Sequence, residues 1–131
     1  MKILCIDIGN TNLNYAIVEK MEVSDANSFP TKRLKDDWHY IKEFHKLIEK
    51  HSVYAVSFCS VVPNLDSRLR SLLDLEIPIY QLTNHTLKGI DLHYPKPDEV
   101  GHDRIANALT AQEYFSLPAV IIDLGTAITL D

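Results

Sequence analysis

Cysteine, glycine and tryptophan are scarce in this sequence, with two, four and one in 131 residues. The first two scarcities each remove a class. Two cysteines cannot staple a disulfide scaffold, and Cys5 and Cys59 both sit in apolar strand-like runs, where reduced buried thiols are expected. The low glycine content excludes collagen-like and low-complexity chains. No run approaches the roughly 20 apolar residues of a membrane-crossing helix. The run from Ile3 to Ile8 is too short for a secretory signal and is interrupted by Asp7. Basic residues are also in deficit, 13 Lys and Arg against 18 Asp and Glu. A net charge of −5 offers no field for a nucleic-acid backbone, although a nucleotide can still be held by backbone N–H groups and a metal ion. The pattern G-x-x-x-x-G-K-[ST] is missing, which excludes a P-loop kinase. These readings lead to a cytoplasmic protein with no nucleic-acid or membrane partner.

What is present is ordinary globular composition, 46% hydrophobic and 24% charged, at the length of one domain. Residues 2–8 and 13–19 read as a β-hairpin, and 21–29 as a third, more polar strand. Trp38, Ile41, Phe44, Leu47 and Ile48 recur at helical spacing, so 36–50 is expected to be an amphipathic helix, opened by Asp36 and Asp37. A strand is expected over 53–58, a helix from Pro63 to Asp74, and a short strand over 78–82. Residues 83–100 read as a loop passing over a site, 101–115 as a helix, 119–122 as a buried strand and 128–130 as the start of another. The fold class is therefore α/β, a mixed sheet flanked by helices. His39, His45 and His51 recur every six residues, which does not gather them on one helix face, so no zinc site is expected.

Chemistry concentrates in two strand-ending turns. Asp7-Ile8-Gly9-Asn10-Thr11-Asn12 offers a carboxylate for hydrated Mg²⁺, a glycine that lets backbone N–H groups approach a phosphate, and hydroxyl and amide donors. Alone, it reads better as a plain Gly-Asn hairpin turn. Asp123-Leu124-Gly125-Thr126-Ala127 repeats the order Asp-aliphatic-Gly-polar after an isoleucine, as the first motif does. Two such turns can hold a triphosphate from both sides. Gly101-His102-Asp103-Arg104 opens a helix after a loop containing Tyr94. Asp103 there suits either the helix dipole or the acceptance of a hydroxyl proton, with Arg104 as a donor beside it.

In this order the three motifs resemble the type III pantothenate kinases of the actin-like and sugar-kinase superfamily, and the resemblance spans essentially the whole chain. It implies an actin-like, ribonuclease H-like domain with a mixed five-stranded sheet over 1–117, and the opening strands of a second similar domain over 118–131. It also implies ATP-dependent phosphorylation of pantothenate to 4'-phosphopantothenate, the first step of coenzyme A biosynthesis. By carry-over, Asp7, Ile8, Gly9, Asn10, Thr11, Asn12 and Thr126 bind ATP, Asp7 with Mg²⁺. Tyr94, Gly101, His102, Asp103 and Arg104 bind pantothenate, and Asp103 is the base. Asp123 binds a monovalent cation, K⁺ or NH4⁺. A homodimer is expected. Most of the family's second domain lies beyond Asp131, so the isolated chain is expected to be an incomplete enzyme and to self-associate through an exposed strand 119–124. Two other readings stand beside this one, a non-catalytic accessory module and a sugar or acetate kinase of the same superfamily. The latter explains Gly101–Arg104 less well.

Overall fold

A computed structural model describes residues 1–36, 39–73, 76–86, 91–125 and 127–131. They form two compact units, Met1–Gln81 and Leu82–Asp131.

The first unit is built on a five-stranded sheet. The apolar alternation of Leu4, Ile6 and Ile8 makes β1 (Lys2–Ile8), and the turn after Gly9 returns the chain as β2 (Asn12–Glu19). The expected third strand forms as β3 (Glu22–Pro30). A bulge in its pairing with β2 falls between Tyr15 and Ile17, and Asp25, on the bulged segment, takes a positive φ of 46°. A short helix α1 (Lys32–Asp36) leads to α2 (His39–His51), and then come β4 (Ala55–Ser60), α3 (Pro63–Leu73) and β5 (Ile79–Gln81). The sheet order is β3-β2-β1-β4-β5. β1 runs antiparallel to β2 and parallel to β4, which makes this the expected mixed sheet.

All the buried side chains of β1 point to one face. Leu4, Ile6 and Ile8 pack there with Leu13, Tyr15 and Ile17 of β2, Val56 and Phe58 of β4, and Leu34, Ile41, Phe44, Leu65, Leu69 and Leu73 from the three helices. Tyr15 meets Phe44 edge-on, with ring centroids 5.2 Å apart. The opposite face of β1 carries Ile3, Cys5 and Asp7, which are only half-buried.

Of the helix expected over 36–50, the described residues from His39 onward form α2. Asp36 is helical, in α1. Thr31, buried beside the first turn of α1, accepts the N–H of Leu34 at 3.0 Å, and Leu34 anchors α1 in the core. Asp37 and Trp38 lie outside the described residues.

The second unit begins irregularly, as expected of 83–100, with a 3-10 turn at Pro97–Glu99. It continues into α4 (His102–Tyr114) and ends in a hairpin of β6 (Ile122–Leu124) and β7 (Ile128–Leu130). The expected buried strand over 119–122 is displaced and exposed: Val120 is 69% and Ile122 61% exposed. Nor is it left unpaired within the chain. The turn at Gly125, whose N–H donates to the Ala127 carbonyl at 3.1 Å, folds β7 back antiparallel onto β6. No described helix is long and apolar enough to cross a membrane.

Candidate functional site

The first motif is a rigid turn on the end of a central strand. Gly9 donates its N–H to the Asn12 carbonyl at 3.0 Å, and a Cβ on Gly9 would sit 2.8 Å from that same oxygen. Glycine is thus required by close approach of backbone to backbone. Thr31, 2% exposed, clamps the turn from the end of β3. Its hydroxyl donates to the Gly9 carbonyl at 2.7 Å and its N–H to the Thr11 carbonyl at 2.8 Å. With those carbonyls tied back, Asn10, Thr11 and Asn12 remain at the surface. Ile8 is fully buried and contributes no side chain to the turn; its carbonyl accepts the N–H of Val61 at 3.0 Å.

Asp7 stands beside this turn on the half-buried face. Its Oδ2 accepts from the Asn14 amide at 3.2 Å and its Oδ1 from the Cys59 thiol at 3.4 Å. Among the described residues no three or more His, Cys, Asp or Glu gather as a metal cluster. A single carboxylate still fits Mg²⁺, which binds proteins through one or two carboxylates and completes its shell with water and phosphate oxygens.

In the second unit, Gly101 caps α4, and its carbonyl accepts the N–H of Ile105 at 3.3 Å. His102 is the first helical residue. Asp103, in the first turn, accepts the N–H of Arg104 on Oδ1 at 2.8 Å, which leaves Oδ2 for another donor. Arg104 turns to the end of β7: its Nε donates to Asp131 Oδ1 at 2.6 Å, and a second nitrogen reaches the same oxygen. This contact raises the guanidinium's already high pKa. The Tyr94 ring lies 5.8 Å from the guanidinium carbon. Tyr94, Arg104 and Asp131 line one concavity of about 290 Å³ with Val100, Ile105 and Ala108. Gly101, His102 and Asp103 do not line it.

Asp123 is half-buried in the middle of β6, directly across from Thr129. The Thr129 hydroxyl is buried without a hydrogen-bond partner. A carboxylate facing an unsatisfied hydroxyl oxygen is a donor set suited to a hard cation. Thr126 lies outside the described residues.

Sequence reading missed Thr31, Asn14, Cys59, Asp131 and Thr129. Hairpin register alone pairs Asp7 with Asn14 and Asp123 with Thr129, so both were within reach; Thr31, Cys59 and Asp131 depend on contacts between distant parts of the chain.

The profile of the type III pantothenate kinases matches residues 3–131. A type III pantothenate kinase of Frankia alni is 29% identical over 98% of this chain and 53% of its own length, and one of Sulfurihydrogenibium is 31% identical over 98% and 54%. The chain therefore spans about half the length of the curated relatives it matches. A crystal structure assigned as a sugar kinase of Cytophaga hutchinsonii superposes on 99% of this chain and 46% of its own, with a TM-score of 0.55 at 16% identity. That likeness concerns the fold alone. With a mixed α/β sheet in the order β3-β2-β1-β4-β5 and a profile match over nearly its whole length, the chain belongs to the type III pantothenate kinase family.

Proposed function

We propose that this chain carries the phosphate-binding and acceptor-binding elements of an ATP-dependent kinase that phosphorylates pantothenate to 4'-phosphopantothenate. The observation that supports this most is the Asp7–Asn12 turn: a strand-end carboxylate, a glycine that only a bare backbone could replace, and exposed Asn10, Thr11 and Asn12. In this reading residues 1–117 form the first actin-like domain, and 118–131 open the second, whose β6 carries Asp123 as β1 carries Asp7.

The turn's N–H groups and side-chain donors hold the triphosphate, with Thr126 as a further contact. Asp7 holds hydrated Mg²⁺, which neutralises charge on the transferring phosphoryl group when bound. Asp123, with the Thr129 hydroxyl opposite, takes K⁺ or NH4⁺. On the acceptor side, Arg104 and Tyr94 orient pantothenate, Gly101 and His102 shape the approach, and Asp103 accepts the hydroxyl proton on its open oxygen. A loose phosphoryl-transfer transition state needs alignment and charge neutralisation more than a strong base, so a carboxylate in the first turn of a helix suffices. The same reading makes the functional protein a cytoplasmic homodimer.

Calorimetry separates this reading from a non-catalytic accessory module. A kinase half binds MgATP, and Asp7→Asn removes that heat; a module that acts only through protein contacts binds neither MgATP nor pantothenate. Absence of both binding heats overturns the proposal.

A further inference from the structure

Asp7 is held in an unusual way for a surface-proximal carboxylate. The antiparallel register places it opposite Asn14 of β2, and the parallel register places it opposite Cys59 of β4. Directly paired residues project to the same face, so the three side chains form a row across the three central strands. Each flanking residue donates to a different oxygen, the Asn14 amide to Oδ2 at 3.2 Å and the Cys59 thiol to Oδ1 at 3.4 Å. Among the described residues no lysine, arginine or histidine pairs with Asp7.

The choice of donors matters. A cationic partner would orient the carboxylate but cancel its charge, and would then compete with any metal ion. An amide and a thiol are neutral. They fix the plane of the carboxylate and leave its negative charge intact, and each oxygen keeps one acceptor direction open.

We infer that Asn14 and Cys59 are positioning residues that aim the Asp7 carboxylate at the divalent cation of the bound nucleotide. The inference rests on the phosphate-binding reading of the Asp7 turn and extends it to two residues that lie outside the motif. Neither touches nucleotide; both act through Asp7.

The test uses Mn²⁺ as a spin probe on the full chain, with water-proton relaxation reporting formation of the Mn²⁺–ATP complex and circular dichroism reporting folding. Asn14→Ala and Cys59→Val are each expected to weaken Mn²⁺–ATP binding about tenfold, as loss of a hydrogen bond to a metal-binding carboxylate does elsewhere, with metal-free ATP binding unchanged. Cys59→Ser restores a donor and should recover the original affinity. Wild-type affinity in both Asn14→Ala and Cys59→Val, alongside lost binding in Asp7→Asn, overturns the positioning role and leaves the site reading intact. If Cys59→Ser is as impaired as Cys59→Val, donation by residue 59 is refuted. Undiminished binding in Asp7→Asn, or none in the unaltered chain, refutes the phosphate-site reading itself and the inference with it.

Discussion

Thr31 and Gly9 show how few atoms hold the candidate phosphate turn. Thr31→Val keeps the shape of a 2% exposed side chain but strips the Gly9 carbonyl of its 2.7 Å partner. The expected cost is about 1–2 kcal/mol in urea unfolding, together with weaker MgATP binding as the turn loosens. Gly9→Ala acts differently: its Cβ meets backbone at 2.8 Å, so the turn itself must move, at about 1–3 kcal/mol. Equal stability of both variants with the parent would contradict the clamp. Tyr15 supplies a second prediction. Burial, and then its 2.5 Å hydrogen bond to Glu43, push the phenol well above its usual range. A raised pKa means the contribution is complete below the unfolded value of about 10 and is lost as pH rises towards the folded one. Unfolding free energy should therefore fall as pH climbs above about 10, and Tyr15→Phe should flatten that decline. At this scale the sequence displayed the motif glycines and carboxylates, because their spacing is local. It hid Thr31, which reaches Gly9 across 22 positions, and Cys59, which reaches Asp7 across 52.

Strand and helix identities were largely legible. The alternation of Leu4, Ile6 and Ile8 and the spacing of Ile41, Phe44, Leu47 and Ile48 each fit one period, and both elements formed. One element was misjudged for a reason that periodicity does not carry. The placement of β6 follows from a hairpin closed at Gly125. The bulge in β3 has a consequence for α2. It presents Asp25 to the helix's last turn, where Lys50 donates at 2.9 Å and His51 also bonds the carboxylate. These contacts, the Lys50 hydrogen bond first, hold the Asp25 carboxyl below its ordinary range. A depressed carboxyl pKa gives a contact present above the unfolded value of about 4 and lost as pH falls through the folded one. Asp25→Asn should speed hydrogen exchange of the last α2 amides at neutral pH, and the difference from the parent should vanish in acid. Unchanged exchange at pH 7 would show that the contact holds nothing.

Across the whole molecule, apolar surface is unevenly distributed. Leu117, Val120, Ile122, Leu124, Ile128 and Leu130 are each more than 60% exposed, and among the described residues β6 and β7 pair with no third strand. Two-stranded sheets with apolar flanks seek further pairing. Sedimentation at micromolar concentration should show concentration-dependent association, reduced by Leu124→Lys with Ile128→Lys; a strictly monomeric profile would contradict it. The family was legible from three short motifs because their order is specific even where each alone is not. Their side-chain partners were not legible in the same way: the Arg104 contact with Asp131 spans 27 positions. Phosphoryl transfer from ATP to pantothenate is tested most directly by joining this chain to the second half of the Frankia alni relative and following ATP-dependent formation of 4'-phosphopantothenate. Turnover is expected to require K⁺ or NH4⁺ and to fall at least about 100-fold in Asp103→Asn. A folded fusion that is inactive where the Frankia enzyme turns over, or an Asp103→Asn variant with undiminished activity, would contradict it.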